Sequence, residues 1–337
     1  MSAVADAEVA VVGAGVMGLA AARALARAGR DVVLCEQFAV GHDRGSSHGS
    51  SRIVRLSYPD ARWVGLAQES YPGWRALEAE HGGPLLDLHG TLDLGEWGAN
   101  RDALTACGVT FEVLDAAEIE RRFGLRLEAG ARGLFQAEGG IVRADLAQRA
   151  LLESALAAGV ELQEGFRVTA VADEGDAVSL GGLTARAAVV TAGPWAPALL
   201  DVDAVPTLET ASYFSYDGPV PSVIETGAGG VHGYALLAPG AGLKAGLHQT
   251  GRPADPDDSG EPDPELVERA RSWIAARFPR AGELLRSETC FYTTRADDEF
   301  LVERRGRVVV GSACSGHGFK FAPAIGDRLA ALSAEVL

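Results

Sequence analysis

Close to the start of the chain an apolar run closes on glycines. Glu8-Val-Ala-Val-Val-Gly-Ala-Gly15 has the pattern of a strand buried on both faces that enters a tight turn. Ala20 to Arg27 follows with Ala, Leu and Arg, strong helix formers, and Gly29 is placed to end that helix. Asp31 to Cys35 reads as the next strand, which completes a β-α-β unit of roughly 30 residues. The same alternation resumes later, with a helix over Ala144 to Ala158 and strands near Val160 to Gln163 and Ala187 to Thr191. Between them, residues 83–140 carry short strands and turns, including Gly90-Thr-Leu-Asp-Leu-Gly95 and Gly133-Leu-Phe135, and this predicts an insertion. Residues 201–262 are rich in Pro, Gly and aromatic positions and read as irregular, ending in the acidic run from Pro253 to Pro262, a solvated loop. Asp263 then caps a helix with Pro264 in its first turn. Leu266, Val267, Ala270, Trp273, Ile274 and Phe278 form its apolar stripe, and Pro279 stops it.

Composition narrows the class. At 337 residues the chain allows about two domains, and 47% hydrophobic with 23% charged residues describes a folded protein rather than a disordered or fibrous one. The 30 Lys and Arg against 46 Asp and Glu give a net charge of −16, which repels phosphate backbones and anionic lipid, so nucleic acid is excluded as a partner. A small anionic substrate stays open, provided that paired cations line a cleft. The first residues lack a basic stretch before an apolar one, and nothing later approaches about 18 uninterrupted apolar residues, so the expectation is a cytoplasmic protein without a membrane span. Cys35, Cys107, Cys290 and Cys314 lie far apart with no Cys-x-x-Cys, as suits a reducing compartment. None of the 7 histidines joins a ligand spacing, and no metal is expected.

The sharpest local chemistry is Gly13-x-Gly15-x-x-Gly18 between strand and helix, with Glu36 ending the second strand. Gly13 permits the turn, Gly15 lets backbone approach a pyrophosphate, Gly18 allows close helix packing, and the helix N-terminus presents N–H groups to phosphate. Glu36 suits a ribose 2′-hydroxyl and repels a 2′-phosphate, which disfavours NADP. The motif does not separate FAD from NAD.

The longer pattern running from Gly13 through Ala22, Leu25, Ala26, Gly29 and Val32 to Glu36 resembles that of FAD-binding amine oxidases. Three further blocks, Gly45-Ser-Ser-His-Gly-Ser-Ser-Arg-Ile-Val-Arg55, Cys290-Phe-Tyr-Thr-Thr-Arg295 and Ser315-Gly-His-Gly-Phe-Lys-Phe321, are similar in order and spacing to the monomeric sarcosine oxidase and N-methyltryptophan oxidase family. The resemblance implies an α/β fold. A Rossmann-like FAD-binding domain (1–82, 141–200 and 286–337) would be interleaved with an α+β substrate domain on an antiparallel sheet (83–140 and 201–285). It implies FAD held by Gly13, Gly15, Val16, Met17, Gly18, Glu36, Gln37, Ser47, His48, Arg52, Val168, Gly316, Gly318, Phe319 and Lys320, with Cys290 bonded covalently to the flavin ring. Arg55 and Lys320 would grip a substrate carboxylate through a planar fork and a point charge. Lys244 would promote reaction with oxygen, His248 would be an active-site histidine, and Tyr58, Tyr234 and Tyr292 would wall the pocket.

The implied reaction is oxidation of a secondary amine that carries a carboxylate, an N-methyl or cyclic amino acid. Hydride passes to flavin N5, an imine forms, and O2 reoxidises the flavin to give H2O2. The chain is expected as a monomer or weak homo-oligomer. The strand Leu208-Glu-Thr-Ala-Ser-Tyr-Phe-Ser-Tyr216 lacks the family's Arg-Gln pair, which points to an amine other than sarcosine. Other readings stay open: a cyclic imino-acid oxidase making an aromatic product, an NAD-linked dehydrogenase, or a nucleotide-binding module without turnover.

Overall fold

A computed structural model describes residues 6–227, 232–258 and 260–337. The segment read for a leader, residues 1–5, and Ser259 of the acidic loop lie outside them.

The first strand, Ala7–Val12, sits at the centre of a sheet of 8 described strands. It pairs in parallel with Val32–Glu36 on one side and with Thr184–Val190 on the other. Glu161–Glu164 extends the parallel array beyond Val32–Glu36, and Val308–Ser312 extends it beyond Thr184–Val190. The inner strands are Val- and Ala-rich and buried on both faces: helices cover one, and Val168, Val178, Leu180 and Leu183 pack on the other. The helices Val16–Arg27 and Ala322–Ala334 approach closely where a Cβ at Gly326 would stand 2.7 Å from the Ala20 backbone.

A second sheet, of 9 described strands, is built mostly from the stretch read as irregular. Val205–Phe214, Gly242–His248, His232–Ala238 and Ser222–Thr226 form a continuous antiparallel run. Most of its proline and glycine sits at turns, while Pro206, Gly233 and Gly246 are accommodated within strands. Ser222–Thr226 then pairs in parallel with Thr91–Gly95, so the sheet is mixed at the seam where the two inserted segments meet. Residues 286–294, assigned by the sequence to the nucleotide-binding unit, belong to the strand Leu284–Thr294, which pairs antiparallel with Val205–Phe214 throughout. The cysteine at 290 is therefore carried by the second sheet. A third sheet, of three short strands, joins Arg52–Val54, Gly140–Val142 and Leu86–Asp87 between the two.

Several helices have local causes. Asp60 caps Ala61–His81 by accepting from Arg62 N at 2.8 Å, and Gly82 ends it in the left-handed region. Asp263 caps Pro264–Arg277 as its sequence predicts. Gly98–Ala106 and Ala116–Phe123 are short helices inside a region read as strands and turns. Among the described residues no helix is long and apolar enough to cross a membrane, and no group of His, Cys, Asp or Glu could hold a metal ion.

Candidate active site

A cavity of about 540 Å³ runs from the C-terminal ends of the parallel strands to the face of the second sheet. At its first end the glycine turn is set by close contacts. Gly13 has φ +94°, and a Cβ there would meet Thr191 O at 2.7 Å. A Cβ at Gly18 would stand 1.8 Å from Gly13 O, so the helix packs onto the turn only without a side chain. Glu36 is buried; its Oε2 accepts from Ala14 N at 2.8 Å and its Oε1 from Phe38 N at 3.0 Å, which leaves lone pairs on both oxygens. Ser47 Oγ accepts from Val16 N at 3.1 Å and so ties the segment 45–52 to the start of the helix. Gly13, Gly15, Val16, Met17, Glu36, Gln37, Ser47 and Val168 all line this end, whereas Gly18 packs behind it.

Arg52, Lys244, Cys290, Gly316, Gly318 and Phe319 line the middle of the cavity. Arg52 is fixed by donating to Ser46 O at 2.8 Å and to Ser51 O at 2.9 Å. Lys244 is buried, and its Nζ donates to Glu288 Oε1 at 3.2 Å. Burial pushes the Cys290 thiol up, while Lys244 and Arg52 pull it the other way. His48 is not among the lining residues. It packs near Arg52 and Lys244, and burial together with those two cations brings its imidazole down to about 4.

At the far end Arg55 and Lys320 meet on one tyrosine. The Arg55 guanidinium lies 4.5 Å from the centre of the Tyr58 ring, and Lys320 Nζ donates to Tyr58 Oη at 2.7 Å. Lys320 also donates to His317 O at 2.6 Å. It is 5% exposed, and both acceptors are neutral; among the described residues no carboxylate pairs with it. Burial, reinforced by Arg55, holds its ammonium well below the ordinary lysine range. Trp74 Nε1 donates to Lys320 O at 2.8 Å and pins the single turn Phe319–Phe321 that carries the lysine. Arg55 donates to the buried Asp93 at 3.1 Å, and Asp93 in turn accepts from Ser57 Oγ. Tyr58, Tyr234, Tyr292 and His248 line the chamber together with Trp63 and His317, whose rings meet edge-on at 5.0 Å.

Asp93, Trp63 and Glu288 were not singled out from the sequence. Only Asp93 left a signal there, as an acid between two leucines in the short strand pattern Gly90–Gly95.

The match of the family model described as FAD dependent oxidoreductase covers residues 8–332. The chain belongs to that family. Over 97% of its length it is 30% identical to the monomeric sarcosine oxidase of Bacillus sp. (strain B-0618), covering 92% of that protein. It is 31% identical to the peroxisomal sarcosine oxidase of Homo sapiens, over 96% of this chain and 91% of that one. Among solved structures, the open form of NikD, described as an unusual amino acid oxidase essential for nikkomycin biosynthesis, superposes with a TM-score of 0.88 at 26% identity, covering 98% of this chain and 95% of that one.

The cavity fits the FAD that this family requires. Its first end is a turn that added Cβ atoms would fill, with a carboxylate at ribose distance along the motif. Along its length Ser46 Oγ, Ser51 Oγ, Ser312 Oγ and His317 Nδ1 are buried without a protein partner among the described residues. Unmatched polar atoms among the cavity's lining residues call for a polar occupant.

Proposed function

We propose that the protein is an FAD-dependent oxidase of amino acids whose nitrogen is a secondary amine, N-methylated or cyclic, with FAD attached covalently at Cys290. The observation that carries this reading is the Lys320 ammonium, buried against neutral acceptors only and beside Arg55. A buried charge without a counter-charge is costly, and a ligand carboxylate removes that cost. The chain's similarity to sarcosine oxidases supports the amine class.

FAD, when bound, supplies the electron acceptor for the carbon–hydrogen bond next to nitrogen and is restored by O2 with release of peroxide. Arg55, aimed by Asp93, and Lys320, aimed by Tyr58 and the His317 carbonyl, take the two sides of the substrate carboxylate. Tyr58, Trp63, Tyr234, Tyr292 and His317 exclude water around the rest of the molecule, and His248 adjoins Tyr292 with ring centres 5.5 Å apart. Lys244 places a fixed positive charge where oxygen is to be reduced, favouring the negative charge that develops there.

The test is to denature one portion of the purified protein with acid and to assay a second, native portion for peroxide release on N-methyl and cyclic amino acids and on their methyl esters. Yellow colour should stay with the pellet and be released by Cys290→Ser, and turnover should be seen with the free acids only. Ester turnover equal to that of the acids would sink the carboxylate clamp; colour in the wild-type supernatant would remove the covalent bond.

A further inference from the structure

Lys244 is the buried cation at the middle of the cavity, and its surroundings are more elaborate than a single lysine requires. Glu288, two residues before Cys290 on the strand Leu284–Thr294, projects to the same side of the sheet as the cysteine. Its Oε1 takes two donors, Lys244 Nζ at 3.2 Å and Tyr213 Oη at 2.5 Å, while its Oε2 accepts from Arg286. The Arg286 guanidinium lies 3.8 Å from the centre of the Tyr213 ring, so the two groups that hold the carboxylate from behind also hold each other. The loop before Arg52 closes the cluster from the other side. A Cβ at Gly49 would lie 3.4 Å from Arg52 Nη1, 3.7 Å from Glu288 Oε1 and 3.8 Å from Lys244 Nζ.

We propose that Glu288 is a positioning residue for this active site: clamped by Tyr213 and Arg286, its carboxylate fixes the Lys244 ammonium at the cavity wall and keeps it protonated there. The inference rests on the reading of Lys244 given above, and it adds the group that makes that reading work in a sealed chamber. Burial drives Lys244 toward its neutral form and Arg52 pushes in the same direction. Facing it are Glu288 and Cys290 from their shared strand, Tyr213 from Val205–Phe214, Arg52 from Arg52–Val54 and His48 from the loop between. His48, brought down to about 4, is neutral near pH 7, and Cys290 carries no charge there, either as a thiol raised by burial or as the flavin thioether proposed above. Glu288 is thus the standing negative charge of the group. Burial alone would raise its carboxyl, but Lys244, Tyr213 and Arg286 outweigh burial and bring it down to about 2.

The readout is the visible spectrum of the FAD-loaded protein against pH, which reports the charge beside the ring without any turnover. Glu288→Gln should shift the Lys244 transition to lower pH than in the wild type, because the burial cost of the ammonium is then unopposed by a carboxylate. The transition should vanish in Glu288→Gln combined with Lys244→Met. A Glu288→Gln profile identical to the wild type, or a transition that survives loss of Lys244, would overturn the proposal. Should the amide variant fail to fold, Tyr213→Phe frees the carboxylate from one anchor and must likewise move the lysine transition to lower pH; an unchanged profile there counts equally against it. A protein that binds FAD but oxidises no amine would refute the proposed function and leave this titration interpretable.

Discussion

The two ends of the cavity are built in different ways. The nucleotide end is built chiefly on one short stretch of chain, a turn, the start of one helix and one carboxylate within residues 13–36, with Gln37, Ser47, Arg167 and Val168 completing its wall. The far end is made of side chains gathered from distant parts of the chain, and Lys320 and Tyr58, which share a hydrogen bond, are 262 residues apart. Backbone sites tolerate changes of side chain but not of volume; side-chain sites tolerate small changes of volume but not of charge.

That contrast can be broken at either end. Gly18→Ala removes no chemical group, yet its Cβ would sit 1.8 Å from Gly13 O and 2.7 Å from Thr191 Oγ1. At a cost of about 3 kcal/mol, it should lower Tm by about 5 °C or more and yield colourless protein; a yellow protein of unchanged Tm would mean that the turn is not set by packing. Lys320→Met should do the reverse. FAD content should be unchanged, while kcat/KM on the acid substrate falls about 10²-fold or more. The pH dependence has a definite sign. A bound carboxylate favours the charged lysine, so affinity for a probe such as acetate, read from the flavin spectrum, is full below the lowered pKa of free Lys320 and declines as pH rises through it. In the Met variant that decline should disappear. The smallest effect is expected at Arg167, which lines the nucleotide end but pairs with Asp257 in the open, at 2.6 Å with side chains 52% and 43% exposed. In a Cys290→Ser background, Arg167→Ala should weaken FAD binding less than about fivefold, as an exposed ion pair allows.

The same contrast explains what was legible in the sequence. The glycine turn and Glu36 were readable because a continuous motif is its own geometry. Arg55, Lys244, Cys290 and Lys320 were reached only through the resemblance, since neither a lone cation nor a lone cysteine carries a local mark of burial, and the resemblance located them without their partners. Glu288 reads as a surface acid on a strand, and only its pairing with Tyr213 and Lys244 gives it meaning. The helix Ala61–His81 contains Pro72 and Gly73, which obscure its period; its length depends on packing, as where a Cβ at Gly73 would strike Pro323. The second sheet was hidden because proline and glycine counts over 201–262 mark turns without marking the strands between them.

The parallel seam between Thr91–Gly95 and Ser222–Thr226 has a consequence in time. Pairings this distant in sequence form late, since loop closure precedes the contacts that reward it. The strand bearing Cys290 has its partner in Val205–Phe214, and the turn bearing Lys320 follows the last parallel strand, Val308–Ser312. On a ribosome the glycine turn would emerge and wait while the second sheet remains open at that seam. Cofactor capture therefore belongs to the end of synthesis, after residue 320 has left the exit tunnel.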